Sequence, residues 1–171
     1  MNFQQLECFT RSPNYQVHVG WKYLQEQLDQ WSKREGELDL DPEFQRGHVW
    51  TESQQIAFVE FVLRNGVGSK EIKFNHPGWG HDYKGVMQLV DGKQRLRAVT
   101  KFMNNELRAF GTLYSEFTGF LPHYAHFIFM VNDLQTEAEV LQWYLEINGG
   151  GTPHTEDELN KVRRMLKKAR K

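Results

Sequence analysis

The chain has 171 residues, with 21 Lys and Arg against 22 Asp and Glu, and a formal net charge of −1. This length suits one domain with a sizeable core, and 13% aromatic with 25% charged residues is the composition of a globular chain, not a disordered one. The near-neutral total excludes a strongly basic nucleic-acid coat and an acidic solvating chain.

That total hides an asymmetry. Seven basic and no acidic residues lie between Lys161 and Lys171, which leaves residues 1–160 at a net −8. The single cysteine, Cys8, cannot form an internal disulfide, and alone it cannot organise a structural zinc. No stretch approaches the roughly 20 apolar residues of a membrane span. Met1–Tyr15 lacks the basic start and apolar run of a secretory signal. The expectation is a reduced, cytoplasmic protein.

Taken in chain order, Tyr15, Val17 and Val19 alternate with Gln16 and His18, the pattern of a half-buried strand. Leu24, Leu28 and Trp31 share one face of a helix that ends near Gly36, and Leu38 and Leu40 predict a short strand before the Asp41-Pro42 turn. Three helices announce themselves by capping boxes at Thr51–Gln54, Thr136–Glu139 and Thr155–Glu158. In each, a Thr hydroxyl and a Glu or Gln side chain satisfy otherwise unpaired amides.

Strands are predicted at Glu71–Phe74, Val86–Val90 and Phe127–Val131, with a loop from Asn75 to Gly85. Few short strands alternating irregularly with helices give an α+β single domain: a small mixed sheet, flanking helices and a basic C-terminal helix. An N-terminal extension covers 1–14, the domain 15–165 and a basic tail 166–171.

Three segments carry chemistry. In Val86–Val99 an apolar strand runs through Asp91-Gly92 directly into a helix containing Leu96, Val99 and Phe102. The first turn of such a helix presents free amides and positive partial charge, and Lys93 and Arg95 beside it make a phosphate site. Asp91 at the strand end suits a magnesium ligand or a water-orienting carboxylate. A plain Asp-Gly turn with solvent-facing cations is the bland counterpart.

The second segment, Asp41–Trp50, offers Arg46 for a further phosphate contact. Trp50 before the Thr51 cap reads as a structural staple on the helix. In the third, Tyr144–Glu158, the run Gly149-Gly150-Gly151 exceeds what one helix C-cap requires, and Asn148 supplies both donor and acceptor.

Phe44-Gln45-Arg46…Trp50…Gln54, Val90-Asp91-Gly92-Lys93-Gln94-Arg95-Leu96 and Ile147-Asn148…Gly150…Thr155…Glu158 together resemble the signature blocks of one family. It is the domain-of-unknown-function family 262, found in the S part of GmrSD-type modification-dependent restriction enzymes, within the wider ParB/sulfiredoxin-like nucleotide-binding superfamily. The likeness covers about residues 15–165.

The resemblance implies nucleoside triphosphate binding at the loop–helix junction, with hydrolysis in some members, in a bacterial or phage-infected cell. Carried across by motif, Asp91, Gly92, Gln94 and Arg95 form the phosphate core, with Asp91, Gln94 and Arg95 as catalytic candidates. Gln45, Arg46, Lys93 and Asn148 complete the nucleotide contacts. Lys93 stands where the family usually has Gln.

Larger relatives continue into an HNH nuclease domain, and no His-Asn-His arrangement with metal-ligand spacing occurs here. His123 and His126 read as loop and strand-edge residues. There is no GxxxxGK[ST] P-loop, and no Gly-x-Ser-x-Gly supports ester or peptide hydrolysis.

Three functional classes follow. The first is a nucleotide-binding domain with nucleoside triphosphatase chemistry. The second is a ParB-like DNA-binding or nuclease module that uses the basic helix from Lys161 to Lys171, whose charges read as spread around it. The third is a non-catalytic remnant whose acidic body docks a protein partner.

Overall fold

The computed structural model describes residues 2, 5, 15–34, 37–45, 50–148 and 156–170. Cys8, Arg46, the glycines 149–151 and the predicted cap at Thr155 therefore lie outside the described residues.

The alternating segment Tyr15–Gly20 forms strand β1 and passes through a 3-10 turn at Trp21–Tyr23 into helix α1, Leu24–Arg34. Strand β2 follows at Leu38–Asp39, helix α2 at Glu52–Leu63 and strand β3 at Glu71–Asn75. Strand β4, Met87–Asp91, leads into helix α3, Lys93–Met103, and strand β5 spans His126–Asn132. Helices α4, Glu137–Asn148, and α5, Glu156–Ala169, close the chain.

Both testable capping boxes are present. Gln54 N donates to Thr51 Oγ1 at 3.3 Å while Thr51 N donates to Gln54 Oε1 at 2.8 Å. At α4, Glu139 N donates to Thr136 Oγ1 at 3.2 Å and Thr136 N to Glu139 Oε2 at 2.9 Å.

The strands make one mixed sheet in the order β1-β5-β3-β4-β2. β1 is antiparallel to β5, β5 parallel to β3, β3 antiparallel to β4 and β4 parallel to β2. This is the α+β domain the sequence predicts.

One face carries the main core. Val19, Ile72, Phe74, Leu89, Phe127 and Phe129 are buried there with residues of α1, α2 and α3. Trp31 fixes α1 over the middle of the sheet, with its ring 5.2 Å from Phe74 and 5.3 Å from Phe129.

The opposite face is covered differently. Alternate residues of β5 (His126, Ile128, Met130) are only half-buried. At β4, however, Val90 is fully buried in a second, smaller core with Phe44, Leu134, Leu141, Tyr144 and Val162. That core seats α4 and α5. Asn75 ties it to the sheet by donating to Leu134 O at 3.0 Å and accepting from Leu134 N at 2.8 Å.

Helix α5 refines one expectation. Its cations leave one stripe to the buried Val162 and Leu166 and spread over the exposed half of the helix, at Lys161, Arg163, Arg164, Lys167, Lys168 and Arg170. Spacing at 100° per residue places Lys161, Arg164, Lys167 and Lys168 on the half opposite Val162 and Leu166, while Arg163 and Arg170 flank Leu166.

Candidate functional site

Strand β4 ends at Asp91, and the chain turns at Gly92 with φ 104°. A side chain there is excluded twice over. The left-handed backbone disfavours it, and a Cβ would sit 2.5 Å from Ile72 Cδ1 and 3.2 Å from Glu71 O. Glycine thus lets α3 start hard against β3. No side chain caps the helix, so the positive end of its dipole is left to the residues around it.

The first three side chains of α3 fan out at about 100° intervals. Arg95 turns toward β3, where its Nη2 donates to Asp91 Oδ2 at 2.9 Å and to Glu71 O at 3.0 Å. Lys73 Nζ lies 3.6 Å from the same Asp91 oxygen and 2.9 Å from Glu71 Oε2. The Arg95 Nε is buried and has no acceptor among the described residues. Gln94 accepts from Trp50 N at 3.2 Å. Lys93 turns the other way and pairs with Asp41. The two cations of Asp91-Gly92-Lys93-Gln94-Arg95 therefore diverge to opposite sides of the helix.

The loop from Asp41 is held from several directions. Gln45 N donates to Pro42 O at 2.9 Å, and the Gln45 side-chain amide donates to Leu89 O on β4. Phe44 packs 5.2 Å from the Tyr144 ring on α4, and Lys161 on α5 donates to Glu43 O at 2.8 Å. Asn148, the last residue of α4, donates to Tyr144 O at 2.8 Å.

Gln45, the Asp91–Arg95 run and Asn148 thus belong to elements packed on one another. Arg46 lies outside the described residues. Trp50 is structural, as expected, but it reaches one turn further than a staple. Its ring is 5.5 Å from Phe58, and Gln55 Nε2 donates to Trp50 O at 3.1 Å.

Asp91 Oδ2 is engaged by the Arg95 guanidinium and the Lys73 ammonium, so a magnesium ion on Asp91 would need its remaining ligands from a bound phosphate or water. Among the described residues no three His, Cys, Asp or Glu side chains gather into a metal site. His126 opens β5 with its ring 4.7 Å from His18 and its Nδ1 3.2 Å from His123 O. Burial holds its pKa below the ordinary 6.5 against the opposing pull of the hydrogen bond to His123 O, and the neighbouring His18, Lys70 and His123 add to the lowering.

Sequence reasoning missed Glu71 and Lys73. Their alternation marks Lys73 as outward-facing, but only the pairing of β3 with β4 places it opposite Asp91.

Comparison with protein families matches residues 27–118, more than half of the chain, to the N-terminal domain of the GmrSD restriction endonuclease. The chain belongs to that family. The match spans the first two motif segments and stops short of the third. No curated protein and no solved structure matches the chain. The setting is thus that of a GmrSD-type restriction domain, and no helix among the described residues is long and apolar enough to cross a membrane.

Proposed function

We propose that this domain binds a nucleoside triphosphate at the β4–α3 junction, as a ParB/sulfiredoxin-like member of a restriction system. The observation that carries the reading is the buried Arg95 Nε. A buried donor without an acceptor costs about 1–3 kcal/mol, more for a charged group, unless a ligand or water supplies one. A phosphate oxygen is the acceptor that suits a guanidinium at an uncapped helix start.

In this reading Asp91 and Glu71 hold the Arg95 fork in place, and Gly92 makes the tight turn from which the first amides of α3 are presented. Gln45 and Gln94 fix the two ends of the segment that bears Arg46, and Asn148 closes the third side. Hydrolysis asks mainly for positioning and charge neutralisation, with Gln94 and Arg95 the groups nearest the phosphates.

Thermal melting with each of the four nucleoside triphosphates tests the proposal. At 100 times the dissociation constant a ligand stabilises by about 2.7 kcal/mol, a shift of several degrees. Arg95→Ala should abolish it. Absence of any shift, together with no heat in isothermal titration, overturns the proposal.

A second reading rests on α5, where the exposed Lys161, Arg164, Lys167 and Lys168 lie opposite Val162 and Leu166. That surface would contact a DNA backbone. Replacing Arg164, Lys167 and Lys168 by Glu should weaken DNA retention and lower its salt slope; an unchanged slope removes the helix from consideration.

A further inference from the structure

Between α1 and α3 runs a cleft of about 590 Å³, within the range of small-ligand sites. Its floor is apolar, made by the buried Leu28, Leu89 and Leu96 with the half-buried Leu38 and Leu40.

Its walls differ. Along α3 stand Lys93, Arg97 and Lys101, each four residues and about 6 Å from the next. Lys93 is paired with Asp41, whereas Arg97 and Lys101 have no ion pair among the described residues. Along α1 stand Gln25, Asp29 and Ser32, with Gln25 Nε2 donating to Asp29 Oδ1 at 2.8 Å. One wall therefore offers three cations, with Glu106 just past the end of α3, the other carboxylate, amide and hydroxyl acceptors, and the floor an apolar bed.

The cleft also opens onto the motif segments. Asp41 and Leu89 line it, the carbonyl of Leu89 accepts the Gln45 side chain, and Lys93 stands at once in the cleft and on the first turn of α3. A ligand complementary to all three surfaces has an anionic end, a flat apolar body and hydroxyl or amino donors along one edge. Those are the attributes of a nucleoside phosphate.

We infer that the α1–α3 cleft holds the nucleoside end of the nucleotide whose phosphates occupy the β4–α3 junction, with Lys93 shared between the two. Arg97 meets the phosphate next to the sugar, Asp29 accepts from the ribose hydroxyls, and the base lies on the leucine floor. The inference rests on the nucleotide reading and adds where the discriminating part of the ligand sits.

Isothermal titration with inorganic tripolyphosphate and with each nucleoside triphosphate tests it on the full chain. The unaltered protein should bind its preferred nucleotide at least tenfold more tightly than tripolyphosphate. Ser32→Trp, which places an indole across the cleft from an exposed helix position, should remove that tenfold advantage and leave tripolyphosphate affinity unchanged. Asp29→Leu, which removes the carboxylate acceptor without filling space, should do the same.

Retention of nucleotide affinity within twofold in both variants overturns the inference and leaves the junction reading intact. So does equal binding of tripolyphosphate and every nucleotide by the unaltered chain. Failure of the unaltered chain to bind either class of ligand overturns the nucleotide reading itself, and the inference with it.

Discussion

The two cores of this domain do different work. The main core is continuous, lies under α1, α2 and α3, and is built around the aromatic cluster of Trp31, Phe74, Phe127 and Phe129. The smaller core on the other face draws Phe44, Val90 and Tyr144 from three segments far apart in the chain. Each of those residues belongs to one of the three motif segments. The main core makes a sheet, and the smaller one brings the candidate site together on it. Stability and assembly of the site are therefore separable properties of one fold.

Removing a side chain from each core gives the sharpest test of this contrast. Phe129→Ala, at a fully buried position, should lower global stability by about 3–5 kcal/mol in denaturant unfolding. Phe44→Ala should act locally. In native-state hydrogen exchange the amides of α4 and α5 should exchange at least tenfold faster while those of β5 keep their protection, and nucleotide-dependent stabilisation should fall with them. Equal acceleration in β5 would show that the two cores unfold as one and would break the comparison.

A smaller effect is expected at the start of α2. Thr51→Ala removes the α2 cap beside Trp50 and should cost about 1 kcal/mol, read as a lower urea midpoint with an unchanged slope. Because α2 belongs to the main core, exchange in α4 and α5 should not respond.

The smallest effect is on the half-open face of β5. Burial lowers the His126 pKa, so the unfolded chain binds its proton more readily than the folded one does. The stability this residue contributes is then fully present above pH 6.5 and is lost as the pH falls through its lowered folded value. His126→Gln should flatten the decline in melting temperature across that acidic window.

How legible this was in the sequence follows the same division. The main-core elements carry their own periodicity. Tyr15-Val17-Val19, Leu24-Leu28-Trp31 and Leu96-Val99 announce strand and helix faces, and the Thr51 and Thr136 caps mark helix starts. The Asp91–Arg95 junction was legible for the same reason, being a strand end joined directly to a helix start.

The smaller core was not legible. Phe44 sits in a loop without periodicity, and nothing local links it to Tyr144 about a hundred residues away. The divergence of Lys93 and Arg95 was equally hidden. It depends on which strands flank β4, with β3 on the Arg95 side and β2 on the Lys93 side. The amphipathic layout of α5 could have been read from its 100° spacing, since Val162, Met165 and Leu166 fall on one side.

The strand order also sets a schedule for synthesis. β5 lies between β1 and β3, so that Tyr15 pairs with Val131 and Glu71 with Ile128. The β3–β4–α3 unit can close from neighbouring residues as it leaves the ribosome. β1, made first, has no partner until β5 is made, more than a hundred residues later. Until then the apolar side of β1 and the central edge of β3 stay uncovered, and that interval is when a growing chain of this topology is most exposed to mispairing with another.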